Sequence, residues 1–312
     1  MKNKTPLILG GVFVVLFIVY LTTTLNPPEN TKGAKPLFPG EKPRIDKVEF
    51  DSAEYGQIVI EEDNNVWNIT APIQYQASAA AVRQMTDALQ DIVIDGVITE
   101  NPDSYAEFAV DDSTGIALKA YSMGNLLLDA VIGKYNTRLT HTYVRRADSK
   151  DVELWRGVFS QFVKRDIDEW RDKGIFTFNA GEILSVKATD TIGTRELVRA
   201  DSLWVFTENG KEKPIDQGKT IQLVAMIGSL RCDAFADEMD IPRAASTKPD
   251  MKVSFKVRNG EEYSFEVWSP SDDDQGRYLV RTGEGGEIFR FLRYRGSQLG
   301  IDYERIKPAD AG

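Results

Sequence analysis

The sequence is short of the two side chains that carry much of protein chemistry. Its 312 residues include one cysteine, Cys232, and one histidine, His141. A single cysteine excludes an internal disulfide framework and any cysteine-rich zinc site. Cys232 lies in an apolar helical pattern and reads as a small core residue. With one histidine, the usual nucleophile–base pairs and transition-metal ligand sets are nearly absent. Neither a nucleophile elbow, a serine-centred triad nor an HExxH helix is present, so no catalytic, cofactor-binding or metal-binding residues are assigned. Positive charge is scarce too: 38 Lys and Arg against 48 Asp and Glu leave a net charge of −10, which argues against a nucleic-acid surface. What is present is the composition of a globular protein, in a chain long enough for two domains.

The N-terminus "MKNKTPLILGGVFVVLFIVYLTTTLNPPEN" places Lys2 and Lys4 before an uncharged run from Thr5 to Pro28. The charge asymmetry and the length of the run predict an uncleaved signal anchor over residues 6–25, with residues 1–5 in the cytoplasm. A secretory cleavage site of small residues is missing from "YLTTTLNPP". The expectation is therefore a single-pass protein of the cytoplasmic (inner) membrane with an extracytoplasmic body. Residues 26–44 contain Pro27, Pro28, Pro36, Pro39 and Pro43 and read as an extended tether, with folded structure beginning near Ile45.

The body reads as two copies of one unit. "IDKVEFD" from Ile45 aligns with "ILSVKATD" from Ile183, 138 residues on, and Trp67 aligns with Trp204. A helical face of Val82, Met85, Leu89 and Ile92 behind Ser78 matches one of Ile221, Val224, Ile227 and Leu230 behind Asp216. Hairpin patterns follow in both halves, one of them turning on Asn259-Gly260. Near the ends, Trp155-Arg156-Gly157 aligns with Tyr294-Arg295-Gly296. The predicted fold class is α+β: a tandem duplication of a mainly antiparallel sheet-plus-helix unit, preceded by the transmembrane helix. Its parts are a first unit at 45–157, a joining helix and turn at 158–178, a second unit at 179–300 and a tail at 301–312.

Few stretches suggest a binding site. "SDDDQGRYLV" sets Asp272, Asp273 and Asp274 before Gly276, but the EF-hand register fails at Thr282 and a solvated loop is expected. "RTGEGGEIF" lacks the spacing of a phosphate loop and reads as a turn between strands. The densest basic cluster is "KYNTRLTHTYVRR", where Arg138, His141, Arg145 and Arg146 offer a surface for an acidic partner or ligand. Strand alternation puts His141 and Arg145 on one face and Arg138 on the other. "DIDEWRDKGIF" sets six charges around Trp170. Phe159, Val163, Ile167 and Trp170 share a helical face, and Gly174 stands where a left-handed C′ residue would end that helix. The stretch is read as a structural joint.

The runs "FAVDDSTGIALKAYSMGNLLLDAVIGK", "TYVRRADSKDVELW" and "DEWRDKGIFTF" resemble the domain-of-unknown-function 4340 family over most of residues 45–300. The shared features fall on Trp67, Pro72, Ile132-Gly133, Tyr143-Val144 and Arg171 to Phe178, while "EFAVDD" departs from the family's Tyr-Gly-Leu. The resemblance defines no catalytic residue. It implies a bacterial membrane-anchored protein found beside gliding-motility-type ABC transporter components. On that basis the expected function is a non-enzymatic interaction module. Its expected role is accessory or scaffold subunit of an export or envelope-assembly complex, with a transporter permease or auxiliary subunit as partner. A binding module for an envelope glycan or lipid is the alternative. No cofactor is expected.

Overall fold

A computed structural model describes residues 33–270, 276–283 and 285–309. The chain divides into two compact units between Asp172 and Lys173.

Unit 1 runs through β1 (Lys35–Pro36), β2 (Lys47–Ser52), β3 (Gly56–Asp63), β4 (Val66–Ala71) and β5 (Tyr75–Gln76) to helix α1 (Ala79–Gln90). It continues through β6 (Val93–Thr99), the short helix α2 (Tyr105–Phe108), β7 (Ile116–Ser122), β8 (Asn125–Tyr135), β9 (His141–Arg146) and β10 (Val152–Arg156). The single-turn helices α3 (Ser160–Val163) and α4 (Ile167–Trp170) close it. The ten strands form one antiparallel sheet in the order β1-β6-β10-β9-β8-β7-β2-β3-β4-β5.

Unit 2 contains β11 (Ile183–Asp190), β12 (Gly193–Ala200), β13 (Leu203–Glu208), β14 (Lys211–Lys213), α5 (Gln217–Gly228), β15 (Ala234–Phe235) and α6 (Asp240–Ser246). After them come β16 (Met251–Val257), β17 (Glu262–Trp268), β18 (Tyr278–Thr282), β19 (Ile288–Phe291), α7 (Arg293–Gly296) and α8 (Tyr303–Ile306). Its sheet order is β15-β19-β18-β17-β16-β11-β12-β13-β14. Strand for strand this is the order of unit 1, from β6 across to β5.

The two long helices, α1 and α5, each form for a local reason and are held by an apolar face. Ser78 Oγ accepts the Ala81 N–H and Asp216 accepts the Lys219 N–H, satisfying one orphan donor at each N-terminus. Val82, Met85 and Leu89 are buried on α1. On α5 the buried face is Thr220, Leu223, Val224 and Ile227, so Ile221, expected inside, lies outside at 47 % exposure. Gly228 ends α5 against the chain: a Cβ there would stand 2.7 Å from the Phe178 carbonyl oxygen. Trp204 is buried, whereas Trp67 is half-buried at the edge of its core.

The folded structure begins earlier than the prolines suggested. Lys35 and Pro36 pair with Ile94 and Val93, and Leu37 N–H donates to Ile92 O at 2.9 Å. Leu37 and Phe38 pack on the unit 1 core. A proline is tolerated here because β1 is an edge strand. Unit 2 repeats the arrangement: Gly174 bridges to Arg231, and Ile175 N–H donates to Leu230 O at 2.7 Å. "KPLF" at 35–38 and "KGIF" at 173–176 are thus one element, 138 residues apart. The repeat includes the end of the supposed tether.

The joint differs from the single helix expected over it. The Asp166 side chain accepts the N–H groups of Asp168 and Glu169, which caps a new turn and separates α4 from α3. Trp170 is fully buried and stacks on Phe50, with ring centroids 5.4 Å apart. Gly174 is not a left-handed cap; it is the extended bridge residue opposite Arg231.

The expected membrane-spanning helix at 6–25 lies outside the described residues, as do residues 1–5, residues 26–32 of the tether and the Asp272–Asp274 loop. No helix among the described residues is long and apolar enough to cross a membrane. The longest, α1 and α5, have 12 residues each. That is roughly 18 Å of helix against a hydrocarbon core of about 30 Å. The membrane-anchored architecture is therefore not retained.

Candidate functional site

The four basic residues singled out in the sequence do not make one surface. Arg138 lies exposed in the turn before β9 and makes no hydrogen bond or ion pair. His141 and Arg145 point to one face of β9, while Arg146 reaches the opposite, core-facing side at the end of the strand.

The last three each meet carboxylate. His141 Nε2 lies 2.7 Å from Asp95 Oδ2, and its Nδ1 lies 2.8 Å from the Thr140 hydroxyl. Arg156 grips the same Asp95 through Nε at 3.0 Å and Nη2 at 2.5 Å. These hydrogen bonds from Arg156, with burial opposing and His141 adding, hold the Asp95 carboxyl below its usual range. Arg145 bonds the Val110 carbonyl and Asp112.

Arg146 belongs to a different assembly. Its Nε and Nη2 both donate to Glu153 Oε1, at 3.1 and 2.9 Å. The other oxygen, Oε2, accepts Trp155 Nε1–H at 2.9 Å. Glu153 is 2 % exposed and Trp155 fully buried, so this is an internal ion pair seated on an indole. Burial would lower the Arg146 pKa, but the hydrogen bond and charge of Glu153 outweigh it, and the pKa is raised.

Above the pair lies a cavity of about 330 Å³. Its floor and walls are Arg146, Glu153 and the Gly96–Thr99 stretch of β6, and Lys35, Glu100 and Asp151 stand at its rim. A second cavity, of about 400 Å³, lies against Leu126–Asp129, Ala147 and Asp148, and Arg146 lines both.

The duplicated fold provides an internal comparison. Counting across paired strands, Phe50, Leu118, Ala130 and Arg146 stand opposite one another in unit 1. Ala188, Val253, Phe265 and Thr282 do so in unit 2. Thr282 therefore holds the place of Arg146. By the same ladders Glu153 faces Val144, as Phe289 faces Val280. Phe291, not Tyr294, is then the counterpart of Trp155. The ion pair of unit 1 is a threonine and a phenylalanine in unit 2. Asp95, in contrast, has a counterpart in Asp233, which is bonded by Arg295 at 2.5 Å. An aspartate–arginine clasp stands at this corner of both units, although Arg295 comes from α7 and the ladder counterpart of Arg156 is Leu292.

The β6 edge also differs. β6 has seven residues, but β1 pairs only with Val93 and Ile94. From Asp95 to Thr99 its outer edge has no strand beside it among the described residues. β15 has two residues and is followed by a segment in which Asp237 and Asp240 bind Arg290.

Sequence reasoning missed Glu153, Asp151, Lys35 and Asp95. A signal for Glu153 existed: it stands two residues before a core tryptophan on a strand, so it shares the inward face. No group of three or more His, Cys, Asp or Glu suited to a metal ion occurs among the described residues.

A family model described as Domain of unknown function (DUF4340) matches residues 67–250, more than half of the chain. The match begins within β4 and ends just before β16, so it takes in parts of both units. No curated protein and no solved structure matches. The family's description names neither a transporter nor a membrane. The inner-membrane location, the envelope partner and the transporter association implied by the resemblance thus gain no support from this match. With no membrane-crossing helix among the described residues, they are set aside.

Proposed function

We propose that this chain, which belongs to the DUF4340 family, works by binding rather than by catalysis, with the polar cavity of unit 1 as its ligand site. The observation that carries the reading is the buried Glu153 paired with a half-buried Arg146, set where unit 2 has Phe289 and Thr282. Taking a charge out of water costs several kcal/mol, and a buried pair is commonly replaceable by apolar residues without loss of stability. Unit 2 builds the same strands without it. The pair is therefore better explained by what it gives the cavity, a polar floor carrying both signs of charge.

Binding is favoured over catalysis because the carboxylate is already committed. Glu153 Oε1 accepts two N–H groups and Oε2 accepts the indole N–H, leaving it poorly disposed to act as base or nucleophile. Among the described residues no hydrogen bond or ion pair engages the side chains of the rim groups Lys35, Glu100 and Asp151, although the Asp151 charge also acts on Arg146.

The test transplants the unit 2 residues. Wild type and an Arg146→Thr/Glu153→Phe double variant are screened by thermal shift against a panel of small polar molecules and short peptides. The reading expects a ligand that raises the wild-type melting temperature, does not raise that of the double variant, and is recovered unchanged. Chemical conversion of that ligand, lost in Glu153→Gln, would overturn it.

A further inference from the structure

Folded proteins blunt the edges of their sheets, because an open edge pairs with any extended chain. Unit 2 follows that rule by cutting β15 to two residues. Among the described residues unit 1 does not: β6 continues for five residues beyond its last partner in β1, and the cavity opens along that stretch. We propose that the outer edge of β6, from Gly96 to Thr99, receives an extended segment of a partner protein as an added strand, with basic side chains directed at Glu100 and Asp151. This rests on the cavity being a ligand site and names the occupant.

Three observations select that occupant. The edge is already competent for strand addition, since Lys35 and Pro36 occupy its first two positions in antiparallel register. Added main chain beside Gly96–Thr99 would bring backbone donors and acceptors to an edge with no strand beside it among the described residues, the ordinary source of affinity in strand addition. Among the described residues, the rim carries the Glu100 and Asp151 carboxylates, neither in a hydrogen bond or ion pair, against Lys35, while Arg146 is met by Glu153 and, at 3.5 Å, by Asp148. That balance favours a basic segment. Ile98, 47 % exposed on the same strand, offers an apolar contact to alternate side chains.

The experiment is calorimetric titration of the full chain with three acetylated octapeptides. One alternates valine and lysine, one alternates valine and glutamate, and one is the lysine peptide with alternate amides N-methylated. The proposal expects binding of the lysine peptide alone, weakened about tenfold or more by Glu100→Lys/Asp151→Lys, since reversing rim charges converts attraction to repulsion. Equal binding of the N-methylated peptide would overturn it, because that peptide cannot complete the strand pairing. Equal binding to Glu100→Lys/Asp151→Lys would also overturn it. A concentration-dependent dimer by sedimentation, abolished by Ile98→Lys, would give the edge to a second copy and overturn the proposal as well. If a small molecule binds and is lost in Arg146→Thr/Glu153→Phe while no peptide binds, the cavity reading stands and strand addition falls. If the lysine peptide binds that double variant as tightly as the wild type, strand addition stands and the cavity reading falls.

Discussion

Breaking the Arg146–Glu153 pair and replacing it should have opposite consequences. Glu153→Ala leaves the indole N–H of the fully buried Trp155 without its acceptor and the guanidinium with only the exposed Asp148, 3.5 Å away. Removing one partner of a buried pair costs about 3–5 kcal/mol. The Arg146 side chain is 28 % exposed and can turn partly to water, so the lower end applies, about 3 kcal/mol. Arg146→Thr/Glu153→Phe removes both charges and fills the space with an aromatic ring. Replacement of this kind is neutral or stabilising by about 1–4 kcal/mol. The lost indole hydrogen bond returns about 1–3 kcal/mol of that, so the double variant should lie within about 1 kcal/mol of the wild type. At about 3 °C per kcal/mol, the single variant melts about 10 °C lower and the double variant close to the wild type. Urea unfolding followed by tryptophan fluorescence measures both, with Arg146→Thr and Glu153→Phe, each alone, completing a double-mutant cycle. A double variant as unstable as Glu153→Ala would refute the reasoning. The fold of unit 1 would then need the pair, and its presence would say nothing about a ligand.

Trp170→Ala should destabilise unit 1 by about 3–5 kcal/mol, seen as an earlier urea transition, because a buried ring stacked on Phe50 is lost. Gly133→Ala should be destabilising although alanine is small. A Cβ there would lie 2.3 Å from the Phe108 carbonyl oxygen and 3.0 Å from that of Tyr143, and backbone must move to admit it; thermal melting compares it with Gly181→Ala, where the Cβ meets nothing. Acid should weaken the fold through carboxyls held low in the native state. Arg156 lowers Asp95; burial pushes Glu49 and Asp237 upward but is outweighed, for Glu49 by Lys47 and Tyr121 and for Asp237 by the Met239 N–H and Arg290. A depressed native pKa contributes stability that is fully present above the unfolded value, about 4, and lost as pH falls below it. Melting temperatures taken from pH 6 to pH 3 should fall below about pH 4, and less so in Asp95→Asn.

Legibility in the sequence followed the strength of local signals. Val82, Met85 and Leu89 recur at helical spacing behind a serine cap and form that helix as read, while Ile92, expected on the same face, lies past its end at Gln90. Ile221 misled because α5 is apolar on more than one side, so spacing alone did not pick the buried face, and Thr220 went inside with its hydroxyl bonded to Asp216 O. "KPLF" was lost to its proline, which reads as tether in sequence but costs nothing on an edge strand. The joint was lost to Asp166: the apolar spacing suits one helix, and a single side chain competing for two backbone N–H groups makes it two turns. The site was the least legible part. Arg146 and Glu153 stand seven residues apart in sequence, yet what makes them notable is the sister residues Thr282 and Phe289, which only strand pairing identifies.

The repeat therefore does more than describe the fold; it sorts polar clusters that look alike. Asp95 with Arg156 has the ingredients of a site, including a histidine bridging to a threonine hydroxyl. Its aspartate–arginine core returns as Asp233 with Arg295 in a unit that has no histidine. What both units keep is explained by the strand corner both must close. What one unit keeps, at the cost of burying charge and leaving an edge open, needs an explanation outside the fold. On that criterion the first strand of each unit, "KPLF" and "KGIF", is architecture, and so is the joint that supplies the second of them. Glu153, Arg146 and the stretch of β6 that has no outer neighbour among the described residues are the features the architecture does not require, and they meet in one cavity.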